Sequence, residues 1–394
     1  MQPFSPYQSK DHFIAKSLYF LIFAAIGLFN SYLIFYYCSI GFSGLQIGLI
    51  TSLASLVSAF SSILMGILQD RYGKTRFLFA VACIGCILLA PFISLTNKFF
   101  ITLPIIIAYA LFASPILALI DSNTIRVLGP RPDRYGVYRL WGTLGFIVTN
   151  PLAGYLYQRY GLNTMFYAYP VCMLIFLLAC LLLPDQPSRK GLPMFKGMRN
   201  MIRQPIWLLF ALSAFLAWFA GMGGLSFVSV AIKDMGGTSM LVGLASTMAA
   251  ISEIPLMMSS IMILHRFDAR KMIAFSFLAY AVRLFLYSIM TSPTWVPWIN
   301  IMQSVSYVLF NIGTVSYANQ LAPDELKATS QGMLYTVLNL ANLSSGLTCG
   351  ILYDQAGRAS LFLILSCVAF LALVIFLFGQ YVLQHSSKQS ILKV

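Results

Sequence analysis

Four ionisable side chains stand in or beside long apolar stretches of a sequence in which only 9% of the residues are charged. Asp121 and Glu253 are acids, and Arg139 and Arg283 are bases. Each would cost at least ~2.5–3.5 kcal/mol at the centre of a membrane helix, so each should face the interior of a helix bundle and find a partner there. Acids in such surroundings are suited to taking up and releasing protons.

Asp121 and Arg139 lie nine positions on either side of Pro130, in the stretch IDSNTIRVLGPRPDRYGVYRLWG. If Pro130 marks the turn of a helical hairpin, the equal arms put both side chains at similar depth on adjacent helices. A guanidinium beside a carboxylate can pair with it bidentately, and each charge lowers the cost of burying the other. One interpretation is therefore a static salt bridge that joins the two helices near the cytoplasmic surface.

Glu253 lies near the middle of its apolar run, STMAAISEIPLMM, twelve positions before His265. A carboxyl group at this depth is desolvated and favours its neutral form, which suits a group that gains and loses a proton in each cycle. Glu253 is thus our first candidate for proton coupling. Arg283, in the middle of the next run, YAVRLFLYS, is its natural partner. The alternative is a structural ion pair that does not titrate.

The elements that position these residues are membrane spans. The 394-residue chain is 59% hydrophobic, whereas soluble domains are about 45–50% apolar and about 25% charged. About 20 apolar residues cross the bilayer as a helix. We predict twelve spans: Phe13–Cys38, Leu45–Gln69, Phe77–Leu95, Phe99–Arg126, Tyr138–Tyr157, Met165–Leu183, Ile206–Ile232, Met240–Leu264, Met272–Met290, Trp295–Leu321, Thr329–Tyr353 and Ser360–Leu383.

The net charge of +14 follows the topology of these spans. The outer loops hold Lys98, Arg159, Lys233 and Arg358, Arg283 lies within a span, and the other basic residues belong to the inner loops and tails. This distribution obeys the positive-inside rule, so both termini should be cytoplasmic in a cell membrane. The basic excess therefore indicates contact with anionic lipid, not with nucleic acid.

Cysteine and histidine positions predict no metal site and no cofactor. The seven cysteines fall in or at the ends of spans, and the Cys83-x-x-Cys86 pair has no second ligand pair. The three histidines lie outside the predicted spans, so an intramembrane histidine relay is excluded. The chain has no GxxxxGK[ST] loop, and an ion gradient or the membrane potential must therefore supply any driving force.

The chain divides into two halves of similar length. The longest polar gap, DQPSRKGLPMFKGMRNMIRQP, lies near the midpoint, which predicts an N-terminal bundle at 1–184, a cytoplasmic linker at 185–204 and a C-terminal bundle at 205–394. GYLYQRYG, ending at Gly161, recurs as GILYDQAG, ending at Gly357, and each segment closes the fifth span of its half. We therefore expect an all-α membrane protein of two six-helix bundles, the architecture of alternating-access transporters.

The loop after the second span, GILQDRYGKTR, resembles the signature loop of the major facilitator superfamily. In that family the pattern is a glycine, then Asp-Arg-x-Gly, then basic residues. The resemblance implies transport by alternating access and a cluster that latches the cytoplasmic side in one conformation. A topogenic basic loop is the alternative. The latch residues implied here are Gly66, Asp70, Arg71, Gly73 and Arg76.

Two further segments, YGVYRLWGTLGF and APDELKATSQGM, are similar to the phenylpropionate permease branch, which neighbours the lactose permease and nucleoside:proton symporter families. The positions of Asp121 and Arg139 resemble the acid–arginine pair with which lactose permease grips substrate hydroxyls, which implies substrate binding. Glu253 and Arg283 also resemble charged sites in those relatives, and proton coupling would rest on Glu253 and Asp121.

Lactose permease carries a histidine and an acid on its tenth helix, whereas the tenth span here offers uncharged side chains such as Gln303 and Asn311. Together with Asn30 on the first span, these amides would supply the neutral hydrogen bonds of a solute cavity. Each of these amides could equally serve to hydrogen-bond one helix to another.

The leading functional hypothesis is a monomeric symporter that imports a small organic solute with a proton. The acid–arginine pair favours a sugar or nucleoside, and the branch resemblance favours an aromatic carboxylate. A drug/proton antiporter on the same fold is the alternative, but the fifth span lacks the Gly-Pro and Gly-Gly doublets of such exporters. An enzyme would need catalytic groups that the sequence does not offer.

Overall fold

The regular structure of the chain is helical, and no β-strand occurs among the residues that the computed structural model describes. Those residues are 9–72, 74–128, 135–183, 205–259, 262, 266–322 and 327–391. Apolar runs of this length become helices because a helix pairs its backbone N–H and C=O groups within the segment, where lipid offers no partner.

Thirteen α-helices are labelled here in chain order. The first seven are α1 (Ser9–Leu28), α2 (Asn30–Ser39), α3 (Gly44–Tyr72), α4 (Thr75–Ile93), α5 (Phe99–Leu128), α6 (Tyr135–Tyr160) and α7 (Met165–Cys180). The other six are α8 (Pro205–Asp234), α9 (Ser239–Met258), α10 (Ala269–Ile289), α11 (Val296–Ile299), α12 (Leu309–Gln320) and α13 (Lys327–Ile391).

In the described part of the chain, nine helical segments are long and apolar enough to cross a membrane. The last, Ser330–Tyr381, contains two predicted spans, because α13 continues across the non-helical residue Gly357. The fifth predicted span lies on α6, whose polar and charged side chains lower its hydropathy, and the tenth is divided into shorter helical pieces. The prediction of an all-α, multi-pass membrane protein is confirmed.

The tenth predicted span is the least regular one. It runs through a 3₁₀ turn (Pro293–Trp295), the short helix α11, a second 3₁₀ turn (Asn300–Met302), a π-helical segment (Ser304–Val308) and α12. A π segment inserts an extra residue into the helical turn and often marks a functional site, because it redirects the side chains that follow. The irregular backbone lies where Gln303 and Asn311 were predicted to bind solute.

Four glycines adopt positive φ angles that other residues rarely take: Gly41, Gly161, Gly236 and Gly357. Gly41 follows α2 and Gly236 follows α8, and these two are 195 positions apart. Gly161 follows α6 and Gly357 interrupts α13, and these two are 196 positions apart. The same chain reversals therefore recur at a nearly constant interval, in agreement with the internal repeat seen in the sequence.

The chain forms two compact units. The first comprises Met1–Gly191 and Ser229–Ile251, and the second comprises Leu192–Val228 and Ser252–Val394. The unit boundaries thus run within α8 and α9. The predicted linker at 185–204 lies outside the described residues, and the predicted division into bundles at 1–184 and 205–394 stays a prediction.

In the first unit, α1 packs closely against α6 because small residues line the contact. A Cβ atom at Gly145 would come closer than 3.0 Å to the backbone carbonyl oxygen of Phe20, and one at Gly142 would press on the ring of Phe23. Thr149 completes the contact by donating a hydrogen bond from Oγ1 to the carbonyl oxygen of Ala24 at 3.2 Å. The small residues of the fifth predicted span therefore set the separation of two helices.

In the second unit, α10 packs against α12 and α13. Ser366 donates from Oγ to the carbonyl oxygen of Ala281 at 2.8 Å, and Arg358 donates from Nη1 to the carbonyl oxygen of Tyr287 at 3.2 Å. Both donors lie on the part of α13 after Gly357. The last span thus covers the helix that carries Arg283.

Replacing Gly145 by alanine should destabilise the protein by about 1–3 kcal/mol, since α1 and α6 must move apart to admit the new methyl group. Thermal unfolding of the purified protein in detergent measures the loss. The matched control is Gly136→Ala on the same helix, where a Cβ atom meets nothing within 4 Å. Equal melting temperatures for the two variants would show that the close α1–α6 contact does not limit stability.

Candidate functional site

Asp121, on α5, is held by two tyrosine hydroxyl groups. Tyr19 of α1 donates to Asp121 Oδ1 at 2.6 Å, and Tyr135, the first residue of α6, donates to the same oxygen at 3.0 Å. A carboxylate that accepts two hydrogen bonds is well stabilised even where water is scarce. Asp121 therefore ties three helices of the first unit together while remaining partly exposed.

Arg139 does not form the predicted salt bridge with Asp121. In the described residues, no nitrogen of Arg139 lies within the 4.0 Å that defines an ion pair with Asp121. Its guanidinium carbon instead lies over two rings, at 4.4 Å from the centroid of Phe23 and 5.9 Å from that of Tyr19. Aromatic faces attract cations, and the tyrosine hydroxyls satisfy the carboxylate, so the two charges are stabilised separately.

One nitrogen of Arg139, Nη1, is buried without a hydrogen-bond partner among the described residues. Asp121 and Arg139 thus both contact side chains of α1, but they do not contact each other directly. The cluster of Tyr19, Asp121, Tyr135 and Arg139 is called the first-unit polar cluster below. In this cluster the carboxylate of Asp121 can accept a hydrogen bond from a ligand, and the guanidinium of Arg139 can donate one.

Asn30 begins α2, directly after a break in the first span at Phe29, whose backbone angles (φ −126°, ψ −63°) are not helical. Its side chain is exposed, and Oδ1 accepts a hydrogen bond of 3.4 Å from the hydroxyl of Tyr109 on α5. Because that hydroxyl has a single hydrogen, its oxygen accepts from the hydroxyl of Tyr169, which lies 2.9 Å away. The hydroxyl groups of Tyr109 and Tyr169 thus hold the exposed amide of Asn30 in place.

Arg283, on α10, is the largest fully buried side chain of the described residues, with only 1% of its surface exposed. Its Nε and Nη1 atoms have no hydrogen-bond partner there, and the hydroxyl of Tyr280 is likewise buried without one. The guanidinium carbon lies 5.3 Å from the centroid of the Tyr280 ring. Glu253, on α9, is partly exposed.

A cavity of about 370 Å³ opens in the second unit and is lined by Met257, Tyr307, Val308, Asn311 and Ile312. Tyr307 and Val308 belong to the π-helical segment, and Asn311 follows it on α12. Asn311 donates from Nδ2 to the carbonyl oxygen of Tyr307 at 2.8 Å. Glu253 lies on α9 one helical turn before the lining residue Met257.

Gln303 precedes the π-helical segment and is 6% exposed, with its Oε1 atom buried and unpaired among the described residues. It is thus enclosed, whereas Asn311 lines the cavity. The predicted pairing of Glu253 with Arg283 and the predicted solute contacts of Asn30, Gln303 and Asn311 stay predictions.

The predicted cytoplasmic latch is only partly visible. Gly73 lies outside the described residues. Gly66 and Asp70 lie on α3, but the surroundings of Gly66 and the side chain of Asp70 are outside the described part. Arg71 is exposed at the end of α3, and Arg76 donates from Nε to the carbonyl oxygen of Leu183, just beyond α7. Arg76 therefore joins the start of α4 to the residues that follow α7, and the latch itself stays a prediction.

Sequence reasoning did not place Tyr19, Tyr135, Trp218 or Asn342 in the candidate site. Tyr135 stands four positions before Arg139, the spacing at which helical side chains are neighbours, and this was a usable signal. Trp218 has the one side-chain hydrogen-bond donor of an apolar run, FLAWFAGMGG, but nothing in the run shows which group accepts from it. Its partner is Asn342, more than a hundred residues away along the chain.

Comparison with known proteins agrees with this fold. A model described as the MFS_1 like family matches residues 12–364. Maltose permease of Geobacillus stearothermophilus is 27% identical, over 82% of this chain and 82% of that protein. The putative nucleoside transporter YegT of Escherichia coli (strain K12) is 22% identical, over 75% of this chain and 73% of that protein. The crystal structure of nucleoside transporter NupG has a TM-score of 0.79 at 18% identity, with 94% of this chain and 98% of that chain covered.

Replacing Tyr19 by phenylalanine removes one of the two hydroxyl groups that donate to Asp121 and should lower stability by about 1.5–3 kcal/mol, the usual contribution of a hydrogen bond to a charged group. Thermal unfolding in detergent again gives the measurement. Tyr167→Phe is the control, because Tyr167 is 72% exposed on α7. A loss no greater than that of the control would contradict a charged acceptor at Asp121.

Proposed function

The chain belongs to the MFS_1 like family and is a membrane transporter, and we propose that it imports a neutral, hydroxyl-bearing ring solute, a sugar or a nucleoside, together with a proton. In this proposal the protein is a monomer in the cell membrane. The positive-inside distribution of its basic residues supports an orientation with both termini in the cytoplasm. The proton gradient supplies the driving force in this proposal.

The position of Glu253, four residues before a side chain that lines the second-unit cavity, carries the proposal. One helical turn separates this carboxyl group from Met257, which lines the cavity together with Tyr307 and Asn311. The lining residues are apolar, aromatic or neutral amide side chains. A lining of this kind suits a solute that has a flat apolar face and hydrogen-bonding edges, and it offers no fixed charge to bind an anion.

A sugar or nucleoside is favoured over an aromatic carboxylate by the burial of Arg283. With 1% of its surface exposed, Arg283 is closed off from solute in this arrangement of the second unit. The names of the matched proteins, a maltose permease and nucleoside transporters, support the same class. Arg139 in the first-unit polar cluster remains accessible and, as in the resemblance to lactose permease, would bind solute hydroxyl groups.

Two carboxyl groups are available to carry the proton. Glu253 is partly exposed and lies one helical turn before Met257, which lines the cavity, so its protonation would be coupled to solute binding in this proposal. Asp121 holds α1, α5 and α6 together through Tyr19 and Tyr135, and its protonation would weaken two charge-assisted hydrogen bonds. We assign proton coupling to Glu253 first and to Asp121 second.

Proteoliposomes that contain the full chain test this proposal. Maltose, uridine and phenylpropionate are added in turn outside the vesicles while a pH indicator reports protons in the lumen. One of the two neutral solutes should acidify the lumen, since symport carries protons with it. Glu253→Gln should abolish acidification while solute counterflow continues, because a neutral amide binds no proton but preserves the shape of the side chain.

The matched control is Asp268→Asn, which neutralises a carboxylate that caps α10 outside the membrane and accepts from the backbone N–H of Arg270 at 3.1 Å. It should acidify the lumen as the unchanged protein does. Acidification that persists in Glu253→Gln would refute the proton site. Efflux of a cationic drug in place of solute uptake would favour the antiporter.

A further inference from the structure

Trp218, on α8, is fixed in place by aromatic rings of the tenth span. Its indole is stacked against Tyr307 (5.8 Å between centroids, 29° between planes) and against Phe310 (5.0 Å, 30°). Only 8% of the residue is exposed. Because Tyr307 lines the 370 Å³ cavity, Trp218 supports the wall of the cavity from behind.

The indole N–H of Trp218 determines the orientation of Asn342. Nε1 donates to Asn342 Oδ1 at 3.0 Å. An indole nitrogen can only donate, so it selects the oxygen of the amide and directs the amide nitrogen away from itself. In the described residues no protein group accepts from Nδ2 of Asn342, and the side chain is partly exposed.

Asn342 lies within the apolar segment Ser330–Tyr381, where an exposed amide has two possible surroundings. Against lipid its N–H groups would have no acceptor, at a cost of several kcal/mol. Against a cavity they would meet water or solute. The contact with Trp218, whose neighbour Tyr307 lines the cavity, favours the second alternative.

Asn311 has the opposite orientation. Its Nδ2 atom donates to the carbonyl oxygen of Tyr307 at 2.8 Å, which leaves Oδ1 available as an acceptor. Asn311 lines the same cavity as Tyr307. The second unit thus combines a flat aromatic ring with one amide set to donate and another set to accept.

We propose that Asn342, oriented by Trp218, donates a hydrogen bond to the transported solute and that Asn311 accepts one from it. This assignment rests on the proposed function, since it adds contacts to the proposed solute site. The chemistry selected is a neutral ring with an apolar face and an edge that carries both a donor and an acceptor. Neighbouring hydroxyl groups of a sugar and the amide edge of a nucleobase both meet this description.

Equilibrium binding to the purified full chain tests the assignment, with radiolabelled maltose and uridine as the two probes. Asn342→Asp replaces the donor by an acceptor of the same shape and should raise the Kd of the bound probe about tenfold or more. Trp218→Phe keeps a ring in the stack but removes the N–H, so the amide can turn over, and the Kd should rise roughly threefold.

The double variant separates orientation from packing. The two oxygens of an aspartate are equivalent, so turning the group over changes nothing, and Trp218→Phe should have no further effect on Kd in the Asn342→Asp background. A tryptophan that only packs would give the same factor in both backgrounds. If Asn342→Asp does not fold, Asn342→Leu takes its place, and the same tenfold rise is expected.

Two controls make the same chemical changes away from the cavity. Trp298→Phe alters an indole that is 67% exposed, and Asn163→Asp alters an exposed amide in the turn before α7. Both should bind as the unchanged protein does. A probe that binds the unchanged protein, Trp218→Phe and Asn342→Asp equally well would overturn the assignment and leave the proposed function intact. Failure of both probes to bind the unchanged protein would overturn both.

Discussion

Hydrocarbon offers no hydrogen bonds, and therefore each polar group inside a span has to be satisfied by another part of the protein. This requirement shapes both units. The carboxylate of Asp121 is satisfied by hydroxyl groups from α1 and α6, and the exposed amide of Asn30 is supported from α5. Since each partner comes from a different helix, the interactions that make polar residues tolerable also hold the helices together.

Arg283 departs from this pattern, as do Arg139 and Gln303, and it is the most deeply buried of the three. Two of its nitrogens and the hydroxyl of Tyr280 are buried without partners in the described structure. A buried cation in this condition raises the free energy of the arrangement that contains it. Any rearrangement that brings an anionic oxygen closer to Arg283 is correspondingly favoured. The guanidinium of Arg283 also lies 5.3 Å from the centroid of the Tyr280 ring, whose face attracts a cation and offsets part of this cost.

The sequence was sufficient to predict an all-α, multi-pass membrane protein, since span length and hydropathy depend only on local composition. It also showed the repeat that Gly161 and Gly357 make visible in the backbone. It located the four charged residues but not their partners. Equal spacing around Pro130 put Asp121 and Arg139 near each other, yet the carboxylate binds Tyr19 and Tyr135. Residue spacing fixes depth in the membrane, whereas the choice among neighbouring partners depends on the rotation of each helix and on side-chain packing. The contact of Trp218 with Asn342 is unreadable in sequence for the same reason, because it joins distant spans.

The burial of Arg283 has a consequence for biogenesis. The helix that carries it, α10, is covered by α12 and α13, and the residues that hydrogen-bond to its backbone include Arg358 and Ser366, near the end of the chain. During synthesis, α10 therefore leaves the ribosome well before the segments that shield its arginine from lipid. A guanidinium group without that cover is exposed to lipid, which is energetically unfavourable. The helix α10 is apolar enough to cross the membrane alone, so the later spans add not its insertion but the protein surface that replaces lipid around Arg283.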